Sequence, residues 1–385
     1  MLLSKGFEVE VYTGTPKGEI IGLSSQIVQD LQGFVREPDS RNVEYTTAPL
    51  CNYDRILCAL LRPRRDLRQY LKSMGNYTIV PGSTLSLGDS SRFFRSDPQN
   101  HYHDYIENSY HTKIVTASIH INIGIEDTEK LIQAYRVIRM EAPLLLALSA
   151  SSPFLDNRVT GYHSTRWQLF PHTPLDVPLF HSHRHFIEWI EQQLVLGTMQ
   201  NVRHLWCSVR PNGDNRPYSL NRLELRICDL VLNPIHLLAI TAILEARIWQ
   251  ILQDDTLDPL QQSSINHGDL EGELLKIVRY NEQAVSKNSL DATLYHWQDG
   301  REIIARDWLE TLIGEELHPI AKDLGFACFL TPIYRLMREG NQAQKWLKQY
   351  QEGMTINEIM EGAIASVYQE EKDLEDKLCE SVLIA

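Results

Sequence analysis

Ionisable residues recur at every second position in several short segments of the chain. In Gly6-Phe7-Glu8-Val9-Glu10-Val11 two acids alternate with three apolar residues. On a β-strand that period puts Glu8 and Glu10 on one face and Phe7, Val9 and Val11 on the other. Val43-Glu44-Tyr45-Thr46 pairs Glu44 with Thr46 in the same way, and Ile119-His120-Ile121-Asn122-Ile123 pairs His120 with Asn122. Leu223-Glu224-Leu225-Arg226-Ile227 sets Glu224 beside Arg226, and Ser164-Thr165-Arg166-Trp167-Gln168-Leu169 sets Arg166 beside Gln168. Taken singly, each segment reads as a half-exposed strand of an antiparallel sheet. Taken together, the polar positions are mostly Glu, His, Asn and Arg, which hold metal ions and phosphates, rather than the mixture of Thr, Lys, Gln and Ser of a solvated face.

Several carboxylates on one face repel. Two unit charges about 4 Å apart cost roughly 4 kcal/mol at an effective dielectric of 20. A hard divalent cation with oxygen ligands removes that cost, and magnesium recruits substrate phosphate oxygens as further ligands. One imidazole among carboxylates suits magnesium, with manganese as the alternative, whereas zinc would call for more His or Cys. Arginine beside such a cluster fits phosphoryl transfer, where it offsets charge on the moving group. Neither GxxxxGK[ST] nor GxGxxG occurs, so a nucleotide would be held through metal ions and arginines on a sheet.

The elements that must position these groups follow from periodicity. Strands are predicted at 6–12, 42–47, 77–80, 112–123, 164–170, 203–210 and 221–228. Helices are predicted at 24–34, 53–74, 127–149 and 183–196, then at 234–252, 269–285, 301–324, 341–350 and 355–378. Asn233-Pro234 supplies an N-cap and a first-turn proline, and helical periodicity dominates beyond it. The expectation is an α+β fold: a largely antiparallel sheet in a sheet-based catalytic part over 1–232, and a mainly helical part over 233–385 packed on it. Pro211-Asn212-Gly213-Asp214-Asn215 reads as the turn of a hairpin.

Composition sets outer limits. The 385 residues carry a formal net charge of −13, which disfavours nucleic acid or an anionic membrane as the main partner. Six scattered cysteines form no CxxC pair, pointing to a reduced, cytoplasmic setting. Met1-Leu2-Leu3-Ser4-Lys5-Gly6 has no signal-peptide pattern, and the apolar run Ala142–Ala150 is too short to cross a bilayer. The histidines at 101, 103, 111, 181, 183 and 185 read as solvent-facing. Gln369–Asp376 reads as a solvated helix face, and Arg62, Arg64 and Arg65 as a surface basic cluster near a helix break at Pro63. Cys51 and Cys58 read as free thiols.

In their order, these motifs resemble the bacterial carboxylate–amine ligases and glutamate–cysteine ligases of the glutamine-synthetase-like fold group, above all the cyanobacterial type. Gly6-Phe7-Glu8-Val9-Glu10 is similar to the family's GxExE element, Glu44-Tyr45-Thr46-Thr47 to its ExxT, and His120 to its strand histidine. The segments 148–154 and 161–166 are similar to its SxSSPF…TGYxSxR, and Val209-Arg210-Pro211 with 223–229 to its VRP…ExRxxD hairpin. Phe7 departs from the small aliphatic common there. The resemblance implies a saddle-shaped sheet whose polar face is an active-site funnel, with helices on the outer face. It implies Glu8, Glu10, Glu44, His120 and Glu224 as magnesium ligands, Arg226 on the transferring phosphate, and Arg166 on glutamate, with Arg210 as a second substrate contact. Asn122, on the His120 face, joins the substrate- and nucleotide-binding set. The implied reaction joins the γ-carboxylate of glutamate to the amine of cysteine at the expense of ATP, through an acyl phosphate. Another amine or acid, and a metal-dependent hydrolase on the same carboxylates, remain open.

Overall fold

The structure is a computed structural model that describes residues 2–213, 220–265 and 268–384. Among these residues the main sheet has seven strands: β1 (Lys5–Gly14), β2 (Phe34–Arg36), β3 (Asn42–Thr46), β4 (Thr78–Val80), β5 (Ile119–Gly124), β6 (Val209–Asn212) and β7 (Arg222–Leu225). They run in the order β2-β3-β1-β5-β7-β6, with β4 pairing the far end of β1, and every pairing is antiparallel. The mixed α and β architecture and the antiparallel sheet match the sequence expectation.

The period-2 pattern sorts as predicted. Phe7, Val9, Val11, Ile119, Ile121, Ile123, Leu223 and Leu225 are all at most 1% exposed. Helix Thr128–Ser149 packs against β6 and β7. Its start is fixed by Asp127, whose carboxylate accepts from the Glu129 and Lys130 amides at 2.9 and 3.0 Å, two donors that would otherwise lack partners. Asn233 caps helix Pro234–Gln253 as expected, accepting from the His236 amide at 3.0 Å. That helix is long and apolar enough to cross a membrane by length and composition, and it lies largely buried inside the molecule. The other apolar helices pack around it, and one cluster of buried apolar side chains runs through sheet and helices alike.

Several expected strands are shorter or different. Residues 164–170 form the short helix Thr165–Leu169, because Ser164 acts as an N-cap and accepts from the Trp167 amide. Over 112–118 there is a 3₁₀ turn (His111–Ile114) before β5 begins, and 203–208 holds a second one (Val202–His204) before β6. The predicted helix over 301–324 opens with a strand, Glu302–Ile304. Helices His101–Tyr110 and Thr331–Glu339 carried no clear sequence signal. The two strands of the predicted hairpin, β6 and β7, do pair; of its predicted turn, Pro211 and Asn212 belong to β6, and Asp214 and Asn215 lie outside the described residues.

Two surface expectations hold except at one residue each: Arg62 and Arg65 are exposed, as is most of Gln369–Asp376, but Arg64 and Glu371 are buried. Helix Tyr53–Met74 runs through Pro63 without a break, and Arg64 is fully buried. Its Nε donates to the Tyr45 hydroxyl at 2.7 Å and its Nη1 to the Leu232 carbonyl and to Glu371. Glu371, from the supposedly solvated acidic stretch, is 6% exposed and also accepts from Arg68 at 2.9 Å. A buried guanidinium needs a buried carboxylate, so each supplies the other. Cys51 and Cys58 are exposed free thiols.

Candidate active site

Register places the predicted residues in rows across the polar face of the sheet. Glu10 stands opposite Glu44, Glu8 opposite His120, and Asn122 opposite Glu224, which in turn faces Arg210. Because alternate residues share a face, all of these side chains rise on the side away from helix Thr128–Ser149.

The result is two neighbouring trios of potential metal ligands. Glu8, His120 and Glu224 offer donor atoms within 4.8 Å of one another, and so do Glu10, Glu37 and Glu44. They differ in charge balance. Glu224, fully buried, is gripped by Arg210 through contacts of 2.8–3.0 Å, by Asn212 at 2.7 Å and by Arg226 at 2.5 Å. Burial alone would raise its pKa, but Arg210, Arg226 and His120 outweigh burial and hold the carboxyl well below the usual range. Burial and the Glu224 charge also push Glu8 up, and His120 and Arg210 reverse the sign. His120 bridges the trios. Its Nδ1 lies 3.1 Å from Glu8 and its Nε2 3.2 Å from Ser118, whose hydroxyl donates to Glu10 at 2.9 Å.

In the second trio the compensating charges, Arg226 and Arg203 on Glu37 and Arg203 on Glu44, are outweighed. Burial, then the charges of Glu10 and Glu8, push Glu37 well above the ordinary carboxylate range. Burial followed by Glu37, Glu8 and Glu10 does the same to Glu44. An all-oxygen donor set with surplus negative charge fits a hard divalent cation. The Glu8–His120–Glu224 set fits one less freely, since Glu224 already accepts from three side chains.

A cavity of about 440 Å³ opens over this face. Glu8, Glu10, Glu44, His120, Arg166, Arg210 and Arg226 all line it, whereas Asn122 and Glu224 lie beneath its surface. Asn122 donates to Glu8 at 3.2 Å and accepts from Arg222 at 2.7 Å. Arg166 is 1% exposed and donates its two Nη groups to the carbonyls of Arg226 (2.8 Å) and Ile227 (3.0 Å), with Asp229 3.6 Å away. Its Nε has no hydrogen-bond partner among the described residues. The side chain therefore clamps the backbone that carries Arg226.

Sequence reasoning missed Glu37, Arg36, Tyr102, His103, Arg203 and Trp206, all on the cavity wall. His103 corrects the solvent-facing expectation: it is 7% exposed, and its Nδ1 has no hydrogen-bond partner among the described residues. His183 is buried as well, while His101 and His181 are exposed as predicted. Glu37 follows the three-residue strand β2, too short for any period to reveal. Its one available signal was position, since Val35 pairs with Glu44.

Comparison with known proteins bears on the family and the fold. The sequence pattern of glutamate–cysteine ligase family 2 matches residues 4–370. A protein of Rubrobacter xylanophilus provisionally named glutamate–cysteine ligase 2-1 is 26% identical over 352 residues, covering 89% of this chain and 88% of its own. A Solibacter usitatus protein provisionally named glutamate–cysteine ligase 2 is 27% identical over 245 residues, 63% of this chain and 60% of its own. Among solved structures, the glutamate–cysteine ligase of Francisella tularensis in complex with AMP superposes with a TM-score of 0.73 at 13% identity, covering 100% of this chain and 94% of that one. At that identity the superposition speaks to the fold alone. The match over nearly the whole length settles the lineage: this chain belongs to glutamate–cysteine ligase family 2.

Proposed function

We propose that this protein is an ATP-dependent ligase that joins the γ-carboxylate of glutamate to the amine of cysteine through a γ-glutamyl phosphate. The observation that carries the reading is the pair of ligand trios beside Arg210 and Arg226 at one cavity. The family membership and the AMP complex of the F. tularensis relative support it. All assigned groups fall within 1–232, the expected catalytic part; a cytoplasmic location remains part of the proposal.

A carboxylate meets an amine unproductively until its oxygen becomes a good leaving group. Transfer of the γ-phosphoryl of ATP to the glutamate carboxylate provides that, and the amine then displaces phosphate. Bound magnesium would cancel repulsion between the carboxylate and the triphosphate and stabilise the in-line transfer. Glu10, Glu37 and Glu44 would hold one ion, and Glu8, His120 and Glu224 another. Arg226, fixed by Glu224 from the side and by Arg166 through its carbonyl, presents a preorganised positive charge to the moving phosphoryl group. Arg210, tied into Glu224, adds charge on the same wall. Arg166 acts chiefly as a positioning residue, one N–H of each Nη being engaged by backbone carbonyls.

The test is phosphate release with ATP, magnesium and glutamate, with and without cysteine and against a panel of other amines. Release that needs both an acid and an amine supports a ligase, and the best amine in the panel names the acceptor. ATP hydrolysis indifferent to any amine would overturn the reading. Arg226→Ala should lower the rate by about 10²-fold or more, the scale for losing one preorganised charge partner.

A further inference from the structure

β7 ends at Leu225, and Arg226 is the first residue beyond it. The Arg226 amide still donates to the Ser208 carbonyl at 2.8 Å. Its carbonyl and that of Ile227 accept from the two Nη groups of Arg166 at 2.8 and 3.0 Å. Where the Arg226 guanidinium sits on the cavity wall therefore depends on where Arg166 is held. Arg166 is 1% exposed, and a buried guanidinium needs an opposite charge close by. Among the described residues the carboxylate that pairs with it is Asp229, at 3.6 Å.

Asp229 is fully buried, does not line the catalytic cavity, and joins three stretches of chain. Its Oδ2 accepts from the Ser151 amide at 2.9 Å and the Ser152 hydroxyl at 2.7 Å, just past the end of helix Thr128–Ser149. Its Oδ1 accepts from the Ser164 hydroxyl at 2.8 Å and faces Arg166. Ser164 caps the short helix that carries Arg166, and the Ser152 hydroxyl accepts from the Arg166 amide at 3.2 Å. The backbone of Asp229 bridges to Ser118, whose hydroxyl donates to Glu10. Burial pushes the Asp229 carboxyl up, and the Arg166 charge, then the three serine donors, oppose the rise.

We propose that Asp229 is a positioning residue for phosphoryl transfer: its buried carboxylate sets Arg166, Arg166 sets the backbone of Arg226, and Arg226 thereby meets the moving phosphoryl group in place. The step it serves rests on the ligase reading; the placement of Arg226 does not. Misplacing such a group by about 1 Å can cost roughly 10²-fold in rate. An amide at position 229 could still satisfy the serines, since its oxygen accepts and the Ser164 hydroxyl can turn to receive its N–H. Asp229→Asn therefore removes the charge facing Arg166 and little else.

In the full chain, Asp229→Asn should lower kcat for acid- and amine-dependent phosphate release by about 10–100-fold, with KM for ATP and glutamate within about threefold of the unaltered values. Because Asp229 acts through Arg226, adding Asp229→Asn to Arg226→Ala should cost less than about twofold more. Unchanged kcat in the single variant, a loss confined to KM, or full multiplication of the two losses would overturn the proposal. If Asp229→Asn does not fold, Ser164→Ala decides in the same way: it should lower kcat less, and that loss should also vanish in the Arg226→Ala background. Should the unaltered protein release no phosphate with any amine, the ligase reading fails, and a crystal structure of whichever variant folds decides the placement. Arg166 out of hydrogen-bonding reach of the 226 and 227 carbonyls, with the Arg226 guanidinium displaced by about 1 Å or more, supports the positioning role. Both guanidinium groups unmoved would overturn it.

Discussion

Replacing Glu44 by glutamine should make the metal-free protein more stable and shrink the stabilisation that magnesium adds. The Glu10, Glu37 and Glu44 oxygens lie within 4.8 Å of one another. At that separation and an effective dielectric of 20, each charged pair costs roughly 3.5 kcal/mol. The carboxyls escape part of this by taking up protons, which is the meaning of the raised affinities of Glu37 and Glu44, and the adjacent cavity screens some of the rest. A net gain of about 1–3 kcal/mol on removing the charge is the reasonable remainder. For 385 residues the unfolding entropy scales to about 0.8 kcal/mol/K, so the metal-free Tm should rise by about 1–4 °C. Saturating magnesium at about 100 times its Kd would stabilise the unaltered protein by roughly 2.7 kcal/mol, and Glu44→Gln should keep less than half of that. Thermal melts in EDTA and in a magnesium series measure both. If the variant melts lower in EDTA and retains the full magnesium shift, the acidic trio is not a cation site.

Other perturbations have calculable signs. Glu224→Gln weakens the anchor of two buried guanidinium groups and should cost about 2–4 kcal/mol in urea unfolding, so its loss of phosphate release must be judged on protein shown to be folded at the assay temperature. Lys5 and Glu245 form a fully buried pair at 2.6 Å, with Tyr53 also donating to Glu245; Glu245→Ala should cost about 3–5 kcal/mol, and Lys5→Met combined with Glu245→Leu should recover much of it. Burial lowers the pKa of His204 to about 4, against about 6.5 in the unfolded chain. The unfolded state therefore binds the extra proton first, and stability should fall as pH drops from 6.5 to 4, by about 1–2 kcal/mol after allowance for nearby water; His204→Gln should flatten that slope in acid denaturation.

The residues that were legible share one property: their proposed roles and their places in the fold obey the same period. Glu8, Glu10, His120, Glu224 and Arg226 alternate with large apolar residues, so the core pattern announces the chemical face. Arg166 and Gln168 share the alternation of the strands, yet Ser164 caps a short helix there, so the period misleads. Glu37 and His103 owe their places to chain crossings over the sheet, a short edge strand in one case and a helix laid across the cavity in the other. Neither carries a local pattern. The Arg64–Glu371 pair joins positions 307 apart, a distance at which composition alone cannot distinguish a solvated charge from a buried one.

The alternation in β1 has a consequence for what changes the chain can absorb. Deleting a single amino acid between Gly6 and Val11 would rotate the remainder of the segment by half a turn, driving acids into the oily layer and bringing phenylalanine or valine up towards the solvent. Shortening by two would preserve the facing but shift each acid by one rung from its partner. Genetic drift in this stretch should therefore proceed by substitution, and a library of indels there should yield insoluble protein long before it yields a soluble, inactive one.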